Sequence, residues 1–167
     1  MILYMAISAN GYIAKDNDET PWSDEEWHEF NKKVNEIGNV LIGRRTFELM
    51  KEDGSLGEFP CKLIMVLTNR TRKKVGRKTV FVSSLTDALE TAKDYGFTQL
   101  LVCGGSKTVA TVLNSGKANE VYLDVEPWIF SNGLPLADRL SHDLKLNLIG
   151  TKQIGKDGVQ LHYKIRK

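Results

Sequence analysis

With 167 residues, 41% of them hydrophobic, the chain has the size and apolar content of one ordinary domain with a substantial core. Lysine plus arginine number 23 against 21 for aspartate plus glutamate, and a formal charge of +2 argues for neither nucleic acid nor an acidic membrane as partner. No apolar run is long enough to span a bilayer, and the two cysteines, Cys61 and Cys103, lie far apart with no histidine at ligand spacing, which argues against a metal site and fits free thiols in a reducing cytoplasm.

Met1–Ser8 is apolar almost throughout, the pattern of a strand covered on both faces rather than of a secretory signal. Asn10-Gly11 breaks it, and Lys15–Thr20 reads as a polar, mobile loop. Ser23 caps a predicted helix to about Ile37, with Trp27, Phe30, Val34 and Ile37 at helical spacing on the core side. Glu29 and Lys33 stand four apart on its wet side, as an ion pair would. Asn39–Ile42 is a predicted strand and Arg45–Met50 a short helix. Strands follow at Lys62–Leu67 and Thr79–Val82, then a helix at Thr86–Tyr95 stopped by Gly96. Gln99–Val102 is a strand and Ser106–Leu113 a helix. Glu120–Val125, Lys145–Gln153 and Val159–Ile165 complete the strands, the last two joined by the turn signal Gly155-Lys156-Asp157-Gly158. The order implies a three-layer α/β/α domain over residues 1–167, with a mixed, mostly parallel sheet and a C-terminal antiparallel hairpin.

Chemistry concentrates where strands end. Gly43-Arg44-Arg45-Thr46 follows an apolar run, and amides at a helix start with guanidinium groups alongside could hold a pyrophosphate; a strand-to-helix turn with solvated arginines has the same sequence. Cys103-Gly104-Gly105-Ser106, before Lys107-Thr108, lets backbone approach a ligand or simply makes a tight turn. Thr68-Asn69-Arg70 and Ser83-Ser84 leave neighbouring strands, where small hydroxyls and an arginine suit the 2′-phosphate that distinguishes NADP from NAD. The three-glycine dinucleotide fingerprint and the Walker phosphate loop are both absent.

Glu26 admits two roles. Three residues after Ser23 it fits a capping box, its carboxylate returning to the Ser23 amide. One helical turn from Phe30, it could equally stand at the edge of an apolar pocket, where burial raises a carboxyl pKa and makes a proton source. The three histidines have no partner at catalytic spacing and read as structural or solvated, so no nucleophilic triad forms.

These residues together resemble the dihydrofolate reductase superfamily, which includes the reductase domain of riboflavin biosynthesis. Asn10-Gly11-Tyr12-Ile13, Pro21-Trp22, Glu26 with Phe30, and Gly43-Arg44-Arg45-Thr46 follow the dihydrofolate reductase order. The resemblance implies Glu26 and Trp22 as catalytic residues and Phe30, Lys62 and Asp124 as substrate contacts. It implies backbone at Ala6 and Ile13 for the nicotinamide. Gly43, Arg44, Arg45, Thr46, Thr68, Asn69, Arg70, Ser83, Gly104, Gly105, Ser106, Lys107 and Thr108 would bind NADPH, and Lys15–Thr20 would close over the nicotinamide. Lys62 stands where that family grips the glutamate tail of folate with an arginine, and Asp124 where it has a threonine bonded to the acid. The stretch from Glu126-Pro127 to Leu136 is closer to the riboflavin-pathway reductases, which suggests a homodimer, yet their Asp-Asp-Pro substrate signature is missing after Thr46. The expectation is a cytoplasmic NADPH-dependent reductase of dihydrofolate or a related pterin, acting on a small molecule without nucleic acid or membrane. The alternatives are reduction of the riboflavin-pathway ribosylaminopyrimidine phosphate and a nucleotide-binding module without catalysis.

Overall fold

A computed structural model of the chain describes residues 1–70 and 78–166. Its elements run β1 (Ile2–Ser8), β2 (Tyr12–Ala14), α1 (Asp24–Ile37), β3 (Asn39–Gly43), α2 (Arg44–Glu52), a 3₁₀ turn at Ser55–Glu58, β4 (Leu63–Leu67), β5 (Thr79–Val82), α3 (Leu85–Asp94), β6 (Leu101–Val102), α4 (Ser106–Asn114), β7 (Glu120–Glu126), β8 (Leu134–Pro135), β9 (Leu146–Ile154) and β10 (Gly158–Ile165).

Eight strands form one sheet in the order β5-β4-β3-β6-β1-β7-β10-β9. The first six are parallel, and β10 runs antiparallel between β7 and β9. All seven residues of β1 are buried. Their alternation sends Leu3, Met5 and Ile7 into a core shared with α3 and α4, while Ile2 and Tyr4 join α1 and α2 on the opposite face. The expected three layers follow from that division.

Helix α1 starts where Ser23 accepts the Glu26 amide at 3.1 Å, with Asp24 and Glu25 favourably placed against the positive end of the helix dipole. It stops at Gly38, whose amide returns to the Val34 carbonyl at 2.8 Å. Phe30, Val34 and Ile37 are its buried face, each worth roughly 1.5–3 kcal/mol of apolar burial. The expected Glu29–Lys33 pair does not form. Lys33 instead pairs with Glu36 at 2.8 Å and lies over the Tyr122 ring, and Glu29 takes Lys152 of β9 at 2.5 Å. Glu29 goes to a tertiary partner on the sheet, while Lys33 keeps an i,i+3 partner within the helix and packs over a ring of β7.

A small second sheet, β2 with β8, was not foreseen. The segment after β7 folds back across the end of β1, where the Asn10 side chain donates to the Phe130 carbonyl at 2.8 Å and accepts its amide at 3.1 Å. A Cβ on Gly133 would stand 2.3 Å from the Ala14 carbonyl oxygen, so only glycine lets these two strands meet.

Parallel strands must leave the sheet by crossovers, and those crossovers decide where a site opens. β3 exits into α2 on one face and β6 into α4 on the other. The carboxyl ends of these adjacent strands, at Gly43 and Cys103, therefore flank a topological switch point, the usual mouth of an open α/β sheet.

Candidate active site

A cleft of about 1290 Å³ opens at that edge and runs from the N-termini of α2 and α4 to the face of α1. Of the residues expected in a site, it is lined by Ala6, Ile13, Trp22, Glu26, Phe30, Gly43, Arg44, Arg45, Thr46, Thr68, Asn69, Arg70, Ser83, Gly104, Gly105, Ser106, Lys107 and Thr108. Lys62 and Asp124 are not among its walls.

The switch point supplies one half. The Gly43 amide donates to the Gly104 carbonyl at 2.8 Å, and a Cβ on Gly43 would fall 2.5 Å from the Thr108 hydroxyl. A Cβ on Gly105 would press on the Thr46 hydroxyl at 3.2 Å. Helices α2 and α4 start here, both without a side-chain cap, and the Ser106 hydroxyl is buried with no partner among the described residues. Two uncapped helix starts, an orphaned hydroxyl and the cations Arg44, Arg45 and Lys107 suit a pyrophosphate. Arg44 meanwhile pairs with Glu48 at 3.0 Å, and Arg45 with Asp18 at 2.5 Å. The second contact ties the Lys15–Thr20 loop to α2. Asn132 donates to Asp16 at 2.9 Å as a second tie to the rest of the domain, and Lys15–Glu19 at 2.8 Å closes the loop on itself.

Thr68, Asn69 and Arg70 lie at the end of β4, with Arg70 exposed. Ser83 and Ser84 are spent elsewhere. The Ser83 hydroxyl donates to Asp87, and Ser84 caps α3 by accepting the Asp87 amide at 3.0 Å. A carboxylate bonded to Ser83 stands where a 2′-phosphate was expected, which leaves Arg70 the stronger of the two expected contacts.

The other half rests on α1. Ser23 donates its amide and hydroxyl to the Glu126 carboxyl at 2.9 and 3.0 Å. Glu126, at the end of β7, thus fills the return half of the capping box that Glu26 might have made. Glu26 is 3% exposed and lines the cleft, and its carboxyl has no hydrogen-bond partner among the described residues. Burial, with the charges of Asp124 and Glu126 adding to it, raises its pKa from 4.5 to about 8.

Asp124 lies beneath the cleft, fully buried. It accepts Tyr4 Oη at 2.5 Å and Gln160 Nε2 at 2.9 Å, and Gln160 also donates to Tyr4 Oη at 2.9 Å. Burial raises the Asp124 pKa to about 6, with Tyr4 and Gln160 opposing the shift. The Tyr4 hydroxyl is held well above its ordinary pKa by burial and by Asp124. Asp124 therefore reaches the cleft through its neighbours rather than by touching a ligand. Lys62 is exposed at the opposite, amino-terminal end of β4, its amide bonded to the Gly38 carbonyl at 2.9 Å. The parallel pairing of Asn39 with Leu63 puts it there.

Sequence reasoning missed Glu126, Tyr4 and Gln160. A tyrosine inside an otherwise apolar strand was the available signal, because a buried hydroxyl needs a partner. Aromatic walls complete this half: Trp27, Phe30 and Phe59 have ring centres 5.4–6.2 Å apart, and Trp22 stacks on Phe130 at 5.7 Å.

The fold and cleft define a dihydrofolate reductase-like α/β domain. The chain belongs to the RibD C-terminal domain family, which it matches over residues 1–160. An uncharacterized Bacillus subtilis protein, YwjB, is 28% identical over 97% of this chain and 95% of its own length. A putative riboflavin biosynthesis protein from Shewanella sp. PV-4 shares the fold at a TM-score of 0.80 and 23% identity, covering 99% of this chain and 98% of that one. Dihydrofolate reductase from Enterococcus faecalis, complexed with NADP(H), does so at 0.75 and 18%, covering 99% and 96%. No helix among the described residues is long and apolar enough to cross a membrane.

Proposed function

We propose that this protein is an NADPH-dependent reductase of a C=N bond in a pterin or in the ribosylamino group of a pyrimidine, with Glu26 as its proton donor. The observation that carries the reading is the freedom of Glu26. Glu126 takes the capping role, so a buried carboxyl with no partner faces the cleft and holds its proton near neutral pH. A module that only binds nucleotides has no use for such a group, and its burial without a bond costs stability.

The NADPH assignment rests on the fit of the switch-point half and on the solved NADP(H) complex of a protein with the same fold. Gly43, Thr46, Gly104, Gly105 and Ser106 would cradle the pyrophosphate, with Arg44, Arg45 and Lys107 supplying charge. Arg70 would read the 2′-phosphate, and backbone at Ala6 and Ile13 would hold the nicotinamide amide. NADPH, when bound, would supply the hydride.

The chain's own residues do the rest. Trp22, backed by Phe130, and Phe30 make a dry wall, and the tied Lys15–Thr20 loop narrows access for water. Glu26 delivers a proton to the acceptor nitrogen, directly or through one water. Tyr4, Asp124 and Gln160 lie under the site as a bonded group that fixes a negative charge near Glu26 and favours its protonated form.

Lys62 outside the cleft removes the expected contact for a folate tail, and membership of the RibD C-terminal domain family favours the pyrimidine reading over dihydrofolate. Protein, NADPH and each acceptor in turn, followed at the nicotinamide absorbance, test the reading. Oxidation of NADPH that depends on a heterocycle supports it. NADPH binding with no turnover of any pterin or pyrimidine returns the chain to a binding module.

A further inference from the structure

The charge lining the cleft is divided in a way that bears on the acceptor, an inference resting on the reductase reading above. Arg44, Arg45, Arg70 and Lys107 all belong to the switch-point half and its neighbouring strand end. The α1 half is walled by Trp22, Trp27, Phe30 and Phe59, and the charged side chains at its mouth are the carboxylates Asp24, Asp53 and Glu58, all exposed, with Asp53 accepting the Ser55 amide and hydroxyl. Lys62 lies outside the cleft. Lys78, behind the Phe59 wall, donates to the Phe59 carbonyl at 3.1 Å and does not line the cleft either. Among the described residues no cation lines this half.

We propose that the acceptor is a flat nitrogen heterocycle carrying no phosphate or carboxylate, neutral or cationic, stacked among these aromatic rings and screened from anionic relatives by the carboxylate rim. Two physical terms act together. Aromatic faces favour planar, polarizable rings and tolerate a positive charge over them. An anionic tail leaving toward the mouth meets three carboxylates and, among the described residues, no guanidinium fork to receive it, and both the repulsion and the lost pairing count against binding. A phosphorylated pyrimidine and the glutamate tail of dihydrofolate fail on the same ground. The cations of the cleft remain for the cofactor.

Matched pairs test this: a tail-less dihydropterin against dihydrofolate, and a ribosylaminopyrimidine against its phosphate. Each is compared by kcat/KM for NADPH oxidation, and by quenching of tryptophan emission in protein saturated with NADP⁺, since Trp22 and Trp27 line the site. The uncharged member should be preferred at least about tenfold in its pair, a ratio that shrinks as salt screens the rim. Equal or better use of the anionic member overturns the proposal, as does failure of both members to quench in protein that binds NADP⁺. Failure to bind NADP⁺ at all overturns the reductase reading and this inference with it. Glu58→Lys places a cation on the exposed rim and should improve the anionic member by about threefold or more, while the uncharged one changes little. An unchanged ratio in that variant removes the rim as the source of selectivity.

Discussion

Replacing Glu26 with glutamine separates its chemistry from its place in the fold. The wild-type carboxyl is raised from 4.5 to about 8, chiefly by burial. The native state therefore holds a proton that the unfolded chain has lost across that window, and stability falls as pH rises through it. At about 1.4 kcal/mol per pH unit the full loss is at most about 5 kcal/mol, of which about 2 lies between pH 6.5 and 8. Asp124, raised to about 6, has made most of its own contribution below that range. Glutamine keeps the shape and cannot ionise, so urea unfolding at pH 6.5 and pH 9 should show the variant gaining about 2 kcal/mol on wild type at the higher pH. Turnover should drop about 10²-fold or more, because the proton donor is gone. The wild-type rate should fall as pH rises through about 8, and the variant should lack that limb. A variant that reduces substrate at the normal rate, or a stability difference identical at both pH values, would refute the assignment.

Arg70→Ala should raise the KM for NADPH by about tenfold and leave that for NADH almost unchanged; equal effects in a parallel titration of both cofactors would reject Arg70 as the 2′-phosphate contact. Asp124→Asn swaps one of the two acceptor oxygens for a donor, so it can no longer accept from both Tyr4 and Gln160, and should cost roughly 1–3 kcal/mol in urea unfolding. Because it also removes a charge near Glu26, the basic limb of the rate profile should move to lower pH, whereas a fixed limb would show that Asp124 has no hold on Glu26. Gly133→Ala drives a Cβ against the Ala14 carbonyl and should destabilise by about 1–3 kcal/mol, read as a lower urea midpoint.

What the sequence disclosed follows from what is local. Strand β1, the Ser23 cap, the β9–β10 hairpin and the glycine turns after β3 and β6 are written in neighbouring residues, and their periodicity and turn chemistry were readable. Contacts across the chain were not. Glu126 takes Ser23 from Glu26 across 103 positions, and nothing near Ser23 announces the winner. Lys62 looked like a tail contact by position in a family pattern, but it stands at the amino-terminal start of β4, the end opposite the cleft, as its place at the head of the predicted strand already implied. Ser83 looked free until the first turn of α3 claimed it. The β2–β8 pair depends on a long return loop whose sequence carries only two strand residues.

Transfer of deuterium from NADPH labelled at the reacting nicotinamide carbon tests the central claim most directly. Wild-type protein, labelled cofactor and the uncharged heterocycles should give a product one mass unit heavier, with NADPH consumed in equal amount. Absence of label from every product, in protein shown to bind the cofactor, would contradict the account.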